Sequence, residues 1–202
     1  TMKNYTNPVY ISFDEWGIMS RNFLTVLPIA QSFNSFIRHA DIVKMTNFTM
    51  LTSLLSTDKD KGSYKTPLFY TFKLFSNNCY GNSIDTYVQC DTFNTEKYKG
   101  IPYLDVSTVY NNETKTVFIN VVNRHKEKSI VTQIRSISGI FTGKAEASVL
   151  NCESLDAPFT FDKQEQYKPI IKEIKVEENN ISYSFPPHSF TQIKVAVKKV
   201  AE

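Results

Sequence analysis

Two neighbouring carboxylates, Asp14 and Glu15, followed at once by the one tryptophan of the chain, Trp16, have the strongest claim to chemistry. They close a short run of strand formers, Val9-Tyr10-Ile11-Ser12-Phe13, that follows the turn signal Asn7-Pro8. The C-terminal end of a parallel strand is where a β/α barrel keeps its catalytic groups. A carboxylate there can serve as the nucleophile of a retaining glycosidase, provided a second carboxyl lies about 5–5.5 Å away to act first as acid and then as base. Side chains alternate along a strand, so Glu15 shares a face with Ile11 and Phe13 while Asp14 sides with Tyr10 and Ser12. On that spacing one of the two carboxylates can face a barrel centre, not both. Trp16 offers a stacking face for a sugar or a wall for its pocket. Acidic residues also end many strands merely because a turn follows, and the pattern alone leaves both readings open.

Other chemistries find less support. The three histidines lie far apart, and each has a structural reading: His39 at a helix end, His125 after a strand, His188 in a Pro-Pro-His turn. Three cysteines, Cys79, Cys90 and Cys152, are an odd number without CxxC spacing, which argues for buried reduced thiols rather than a zinc site or a disulfide framework. Reduced thiols in turn favour the cytoplasm. No GxSxG elbow, phosphate-cradling glycine loop, HExxH or EF-hand pattern occurs.

The elements that must hold Asp14 and Glu15 follow along the chain. Ile29, Ala30, Phe33, Phe36 and Ile37 recur at helical spacing and predict a helix from Pro28 to His39. A second short strand follows at Ile42–Met45, then a charged loop from Ser56 to Lys61, then a helix over Leu68–Phe75. Strand, helix, strand, helix is the grammar of β/α units. After Gly81 the character changes. Residues 101–110 and 116–122 alternate on either side of the turn Asn111-Asn112-Glu113-Thr114-Lys115 and predict a β-hairpin. Further strands are expected at 129–135, 145–150, 170–176, 181–185 and 190–197, with no helix between them, which argues for a β-sandwich or jelly roll. The boundary falls near residue 82, giving segments 1–81 and 82–202 with no long linker.

Composition agrees with a packed protein rich in β structure. Of 202 residues 41% are hydrophobic, and 15 Phe and 11 Tyr stand against 6 Gly. The excess of 23 basic over 20 acidic residues is scattered, so the footprint of a nucleic-acid binder is missing, and no apolar run approaches the roughly 20 residues that cross a bilayer.

Several segments carry more than spacing. Ile11-Ser12-Phe13-Asp14-Glu15-Trp16-Gly17 and the run from Phe33-Asn34-Ser35-Phe36 through Ile37-Arg38-His39-Ala40-Asp41 to Ile42-Val43-Lys44-Met45 resemble successive segments of the family 51 glycoside hydrolases, the α-L-arabinofuranosidases. The likeness continues in order through Ile101-Pro102-Tyr103-Leu104-Asp105-Val106, Val121-Val122-Asn123-Arg124 and Phe185-Pro186-Pro187-His188-Ser189-Phe190. The resemblance implies that residues 1–81 are the last two β/α units of a (β/α)8 TIM barrel and residues 82–202 a C-terminal antiparallel β-sandwich of jelly-roll type.

It further implies that Glu15 is the nucleophile, that Trp16 and Met50 border the sugar, and that an arabinose-containing oligosaccharide or polysaccharide is the substrate, with no metal or organic cofactor. Met50 stands where the family has a glutamine that contacts arabinose, and a thioether cannot make that hydrogen bond. The family's acid/base belongs to an earlier barrel strand that this chain lacks, so the partner implied is the missing N-terminal barrel segment. Unpaired strands of an incomplete barrel also invite homo-oligomers. A non-catalytic carbohydrate-associated sandwich and a family member that has lost activity are the alternatives.

Overall fold

The computed structural model describes residues 9–18, 20–49, 54–177 and 179–199. It opens with strand β1 (Ile11–Trp16), helix α1 (Val26–Arg38) and strand β2 (Val43–Phe48), and the two strands pair in parallel. α1 begins two residues before Pro28, because a proline in the first turn forfeits only an N–H that has no helical partner. Its buried stripe is Val26, Leu27, Ile29, Ala30 and Asn34.

The expected charged loop at 56–61 is instead the tip of a hairpin, β3 (Leu55–Asp58) and β4 (Gly62–Lys65). Asp58 Oδ1 accepts the N–H groups of Asp60 and Lys61, both at 3.0 Å, which closes the turn. Helix α2 (Pro67–Asn78) follows, with its proline in the first turn.

The rest of the chain is β-rich: β5 (Asn82–Ile84), β6 (Thr92–Phe93), β7 (Ile101–Pro102), β8 (Leu104–Asn111), β9 (Thr116–Asn123), β10 (Ile130–Arg135), β11 (Gly139–Leu150), β12 (Ile170–Lys175), β13 (Asn180–Phe185) and β14 (Ser189–Lys199). Six of these form one antiparallel sheet in the order β12-β11-β14-β9-β8-β5, and β10 and β13 form a separate antiparallel pair. The hairpin β8–β9 stands where alternation predicts it. β11 starts six residues earlier than expected, because a bulge around Gly143, whose φ is +71°, carries the strand through what reads as a turn signal. Strands β5 and β6 are short and have no alternation long enough to predict, and the strand expected over 101–110 is interrupted at Tyr103, which separates β7 from β8. Among the described residues there is no closed barrel, and the parallel sheet has two strands.

The two faces of the six-stranded sheet bury different partners. Val117, Ile119, Val121, Ala147, Val149, Ile193 and Val195 meet Ile181 and Phe185 of β13 in one apolar core. On the opposite face Val122, Leu150 and Phe190 pack with Phe23, Val26, Ile29, Leu68 and Phe75. Phe75 stacks on Phe190, centroids 5.0 Å apart.

That second interface also contains a row of buried polar side chains. Ser107, Asn120 and Gln192 are neighbours on β8, β9 and β14. Ser107 donates to Asn34 Oδ1 at 2.7 Å, Asn120 donates to Ser107 at 3.2 Å, and Gln192 donates to Asn120 Oδ1 at 2.7 Å and to the Leu74 carbonyl at 3.2 Å. Asn34 donates to the backbone carbonyl and a carboxylate oxygen of Asp105, each at 3.1 Å. Asp105 also pairs with Arg38 and Arg124, each at 3.0 Å.

Asn34→Leu would leave the Ser107 hydroxyl and Asp105 short of partners in a dry interface, with an expected loss of about 2–4 kcal/mol read from urea unfolding. A Cβ on Gly81 (φ +123°) would lie 2.2 Å from the Tyr110 carbonyl oxygen. Gly81→Ala, at the link from α2 to β5, is therefore expected to cost about 2 kcal/mol or more, seen as a lowered Tm with an unchanged circular dichroism spectrum at 20 °C.

Candidate active site

Asp14 and Glu15 lie at the C-terminal end of β1, where its pairing with β2 is irregular. Phe13 stands opposite Thr46 and Trp16 opposite Phe48, so two residues of β1 face the single Asn47 of β2. This extra residue is a β-bulge. Phe13 and Trp16 both turn to the helices: Phe13 meets Phe36 at 5.7 Å between centroids, and Trp16 meets Phe33, Phe36 and Phe48 edge-on at 5.0–5.2 Å and stacks on Phe72 at 5.9 Å. Two residues three positions apart cannot share a face under strict alternation; the bulge makes it happen. Asp14 and Glu15 then both lie on the side away from the helices. Here the sequence expectation is corrected: Glu15 does not share the face of Phe13, and the strand does not restrict that side to one carboxylate.

Asp14 is engaged. Ser12 Oγ donates to its Oδ1, and Asn47 Nδ2 approaches the same oxygen at 3.5 Å. Glu15 is exposed, and its carboxylate has no hydrogen-bond partner among the described residues. Around the carboxylates the open sheet face carries the exposed Tyr10 and Met45 beside the polar Ser12 and Asn47.

Trp16 differs from its expected role beside a sugar. It is 8% exposed, and aromatic rings surround its indole, so it anchors the strand end in the core and presents no stacking face to solvent. Its Nε1–H has no partner among the described residues. Met50 lies outside the described residues. The imidazoles have separate hydrogen-bonded roles, although the backbone N–H of His188 donates to the His125 carbonyl at 2.8 Å. His39 Nδ1 lies 2.8 Å from the Ser35 carbonyl, His125 Nδ1 accepts the N–H groups of Glu127 and Lys128, and His188 lies between the carbonyls of Lys126 and Cys152.

Sequence reasoning missed a brace on the segment that leaves Glu15. Residues 151–168, between β11 and β12, run beside residues 21–24. Leu24 N–H donates to the Leu155 carbonyl at 2.8 Å, Phe23 N–H to Ala157 at 3.3 Å, and Phe159 N–H to the Arg21 carbonyl at 2.9 Å. The Tyr64 hydroxyl of β4 donates to the Phe159 carbonyl at 3.0 Å, and Lys61 pairs with Asp162. One strap thus ties the connections that follow β1 and β2. No residue pattern announces it, because its bonds to residues 21–24 are made by backbone groups.

The family model described as the α-L-arabinofuranosidase C-terminal domain matches residues 14–189. The chain belongs to this family. Among curated relatives it is 23% identical to the "Intracellular exo-α-(1→5)-L-arabinofuranosidase 1" of Bacillus subtilis, over 93% of this chain and 42% of that protein. It is 28% identical to the "Probable α-L-arabinofuranosidase C" of Aspergillus terreus, over 91% and 39%. The chain therefore spans about two fifths of the length of these relatives. The fold matches the Thermotoga maritima α-L-arabinofuranosidase in its arabinose complex with a TM-score of 0.79 at 24% identity, covering 92% of this chain and 43% of that one. A family 30 xylanase from Clostridium acetobutylicum shares the fold more distantly, with a TM-score of 0.62 at 12% identity.

Two measurements probe the neighbourhood. Tyr64→Phe removes the donor to Phe159, and the amides of Phe23 and Leu24 are expected to exchange hydrogen several-fold faster while those of β9 and β14 keep their protection. Burial pushes the thiols of Cys79 and Cys152 up to about 11 from an ordinary 9.0. At pH 8 their thiolate fractions should then be about a hundredfold below those of ordinary thiols, so iodoacetamide is expected to label both slowly in the folded chain and quickly in urea.

Proposed function

We propose that this chain is the C-terminal part of a retaining α-L-arabinofuranosidase, in which Glu15 attacks the anomeric carbon of a terminal arabinofuranose on an arabinose-containing oligosaccharide or polysaccharide. The observation that carries the reading is the bulged end of β1, which turns an exposed Glu15 and a hydrogen-bonded Asp14 to the side away from the helices. On that side Tyr10 and Met45 are exposed, and both outer edges of the two-stranded parallel pair are unpaired among the described residues. The remaining strands of a β/α barrel would cover them, and relatives more than twice as long have the chain to supply such strands. Residues 1–81 are then the end of the barrel and residues 82–202 a jelly-roll-like sandwich packed against it.

The division of labour follows from the chemistry. Double displacement needs a nucleophile on one side of the anomeric carbon and a carboxyl that protonates the leaving oxygen, about 5–5.5 Å from it. Glu15 is the first. Asp14 is adjacent on the same strand and holds Ser12 and Asn47, so it orients the strand end rather than serving as the acid. The acid/base belongs to the barrel strands outside this chain. Attack by a Glu15 carboxylate oxygen forms a glycosyl ester and expels the protonated leaving group; water activated by the acid/base then cleaves the ester. Carboxylates and hydroxyl hydrogen bonds suffice for this, without metal or organic cofactor.

The isolated chain is expected to show no turnover of 4-nitrophenyl α-L-arabinofuranoside. Joined to the barrel portion of a relative such as the Thermotoga maritima enzyme, it should hydrolyse that substrate, and Glu15→Gln should lower kcat at least about 10³-fold. Activity of the joined protein that survives Glu15→Gln would refute the assignment.

A further inference from the structure

His188 stands in the turn between β13 and β14 with a left-handed backbone, φ +39°. A residue with a Cβ adopts that conformation at a cost, which other contacts must offset. Backbone and amide groups tie the turn down. Asn123 Nδ2 donates to the carbonyls of Phe185 at 3.1 Å and Pro186 at 2.8 Å, Asn151 Nδ2 donates to Pro187 at 3.2 Å, and the His188 N–H donates to His125. The imidazole joins two further pieces of chain. Its Nδ1 lies 2.6 Å from the Lys126 carbonyl oxygen and its Nε2 2.9 Å from that of Cys152.

Both partners of the ring are acceptors. A neutral imidazole carries one N–H, so it satisfies one carbonyl and turns a lone pair on its other nitrogen toward the second. An imidazolium donates from both nitrogens and fits both. The first carbonyl belongs to the turn from β9 to β10. The second belongs to the start of the strap, three residues before Leu155, whose carbonyl accepts the N–H of Leu24. The ring therefore sits at the root of the brace on the segment that leaves β1. The other titratable groups on these elements are Arg124, His125, Lys126, Glu127 and Lys128 on the turn and Cys152 and Glu153 on the strap. Among the described residues none of their side chains is bonded to the ring. Arg124 is taken by Asp105 and the Pro102 carbonyl, the His125 ring by the N–H groups of Glu127 and Lys128, and the Cys152 thiol by the Ser154 carbonyl.

We infer that His188 is a pH-sensitive clasp on the strap. With both ring nitrogens protonated it holds the Lys126 and Cys152 carbonyls together. As the pH rises through the range in which imidazole gives up its proton, one N–H is lost. The shorter contact, to Lys126, keeps the remaining hydrogen, and the join to Cys152 is released. The clasp is closed on the acid side and open on the alkaline side, because both of its partners can only accept. Nothing in this depends on the role of Glu15.

The test reads the 202-residue chain at pH 5.5 and pH 8.5. Nitrogen-15 shifts of the ring should show both nitrogens protonated at pH 5.5 and Nδ1 alone protonated at pH 8.5, the tautomer opposite to the one that free histidine favours. Hydrogen-exchange protection of the Leu24 and Phe159 amides, corrected for the intrinsic rate at each pH, should fall at least about fivefold between the two, while amides of β9 and β14 keep theirs. His188→Asn, which suits the left-handed backbone, removes the ring and should abolish that difference. If this variant does not fold, the tautomer at pH 8.5 in the unaltered chain decides. An Nε2-protonated ring at pH 8.5, equal protection of Leu24 and Phe159 at the two pH values, or the same fall in His188→Asn would each overturn the inference.

Discussion

The polar row Ser107, Asn120 and Gln192 sets where the helices can sit on the sheet. These three side chains lie side by side on β8, β9 and β14, are buried, and face α1 and α2 rather than the apolar core on the other side. An unpaired buried amide or hydroxyl costs about 1–3 kcal/mol, so the interface is favourable only in a position where each finds a partner. Asn34 of α1 supplies one end of that match, and the Leu74 carbonyl and Asn78 of α2 supply the other. Purely apolar surfaces could slide past one another with little change in energy. These cannot, and Asp105, held by Asn34, Arg38 and Arg124, fastens the row at its edge.

The position of Glu15 descends from that match. α1 and α2 present Phe33, Phe36 and Phe72, and Trp16 inserts among them, which fixes the end of β1 relative to the helices. With Trp16 fixed on one side and Phe13 drawn to the same side, the extra residue of the bulge turns the carboxylates the other way. The strap of residues 151–168 then holds the segment that leaves the strand end. The β-rich part of the chain thus reaches the candidate site through packing and backbone bonds, without placing a side chain in it.

Beside Glu15 the two-stranded parallel pair leaves both its outer edges and the side that bears the carboxylates uncovered among the described residues, which suits further barrel strands. A chain spanning about two fifths of its relatives would carry such surfaces where the rest of the protein packs.

Periodicity in the sequence determined the elements whose signal is local. α1 and α2, the hairpin β8–β9 and the strands β10, β12, β13 and β14 appear in the alternation of their own residues, and Asp14-Glu15-Trp16 could be picked out as a strand end with carboxylates and an aromatic anchor. Features that depend on a distant partner could not be read. The bulge exists because Phe13 and Trp16 both find aromatic rings on α1, the β3–β4 hairpin is fixed by its packing against residues 159–162, and Trp16 became core because Phe72 lies over it. Alternation records which residues prefer burial. It does not record what buries them, and at Trp16 that difference decided between a sugar platform and the anchor that aims Glu15.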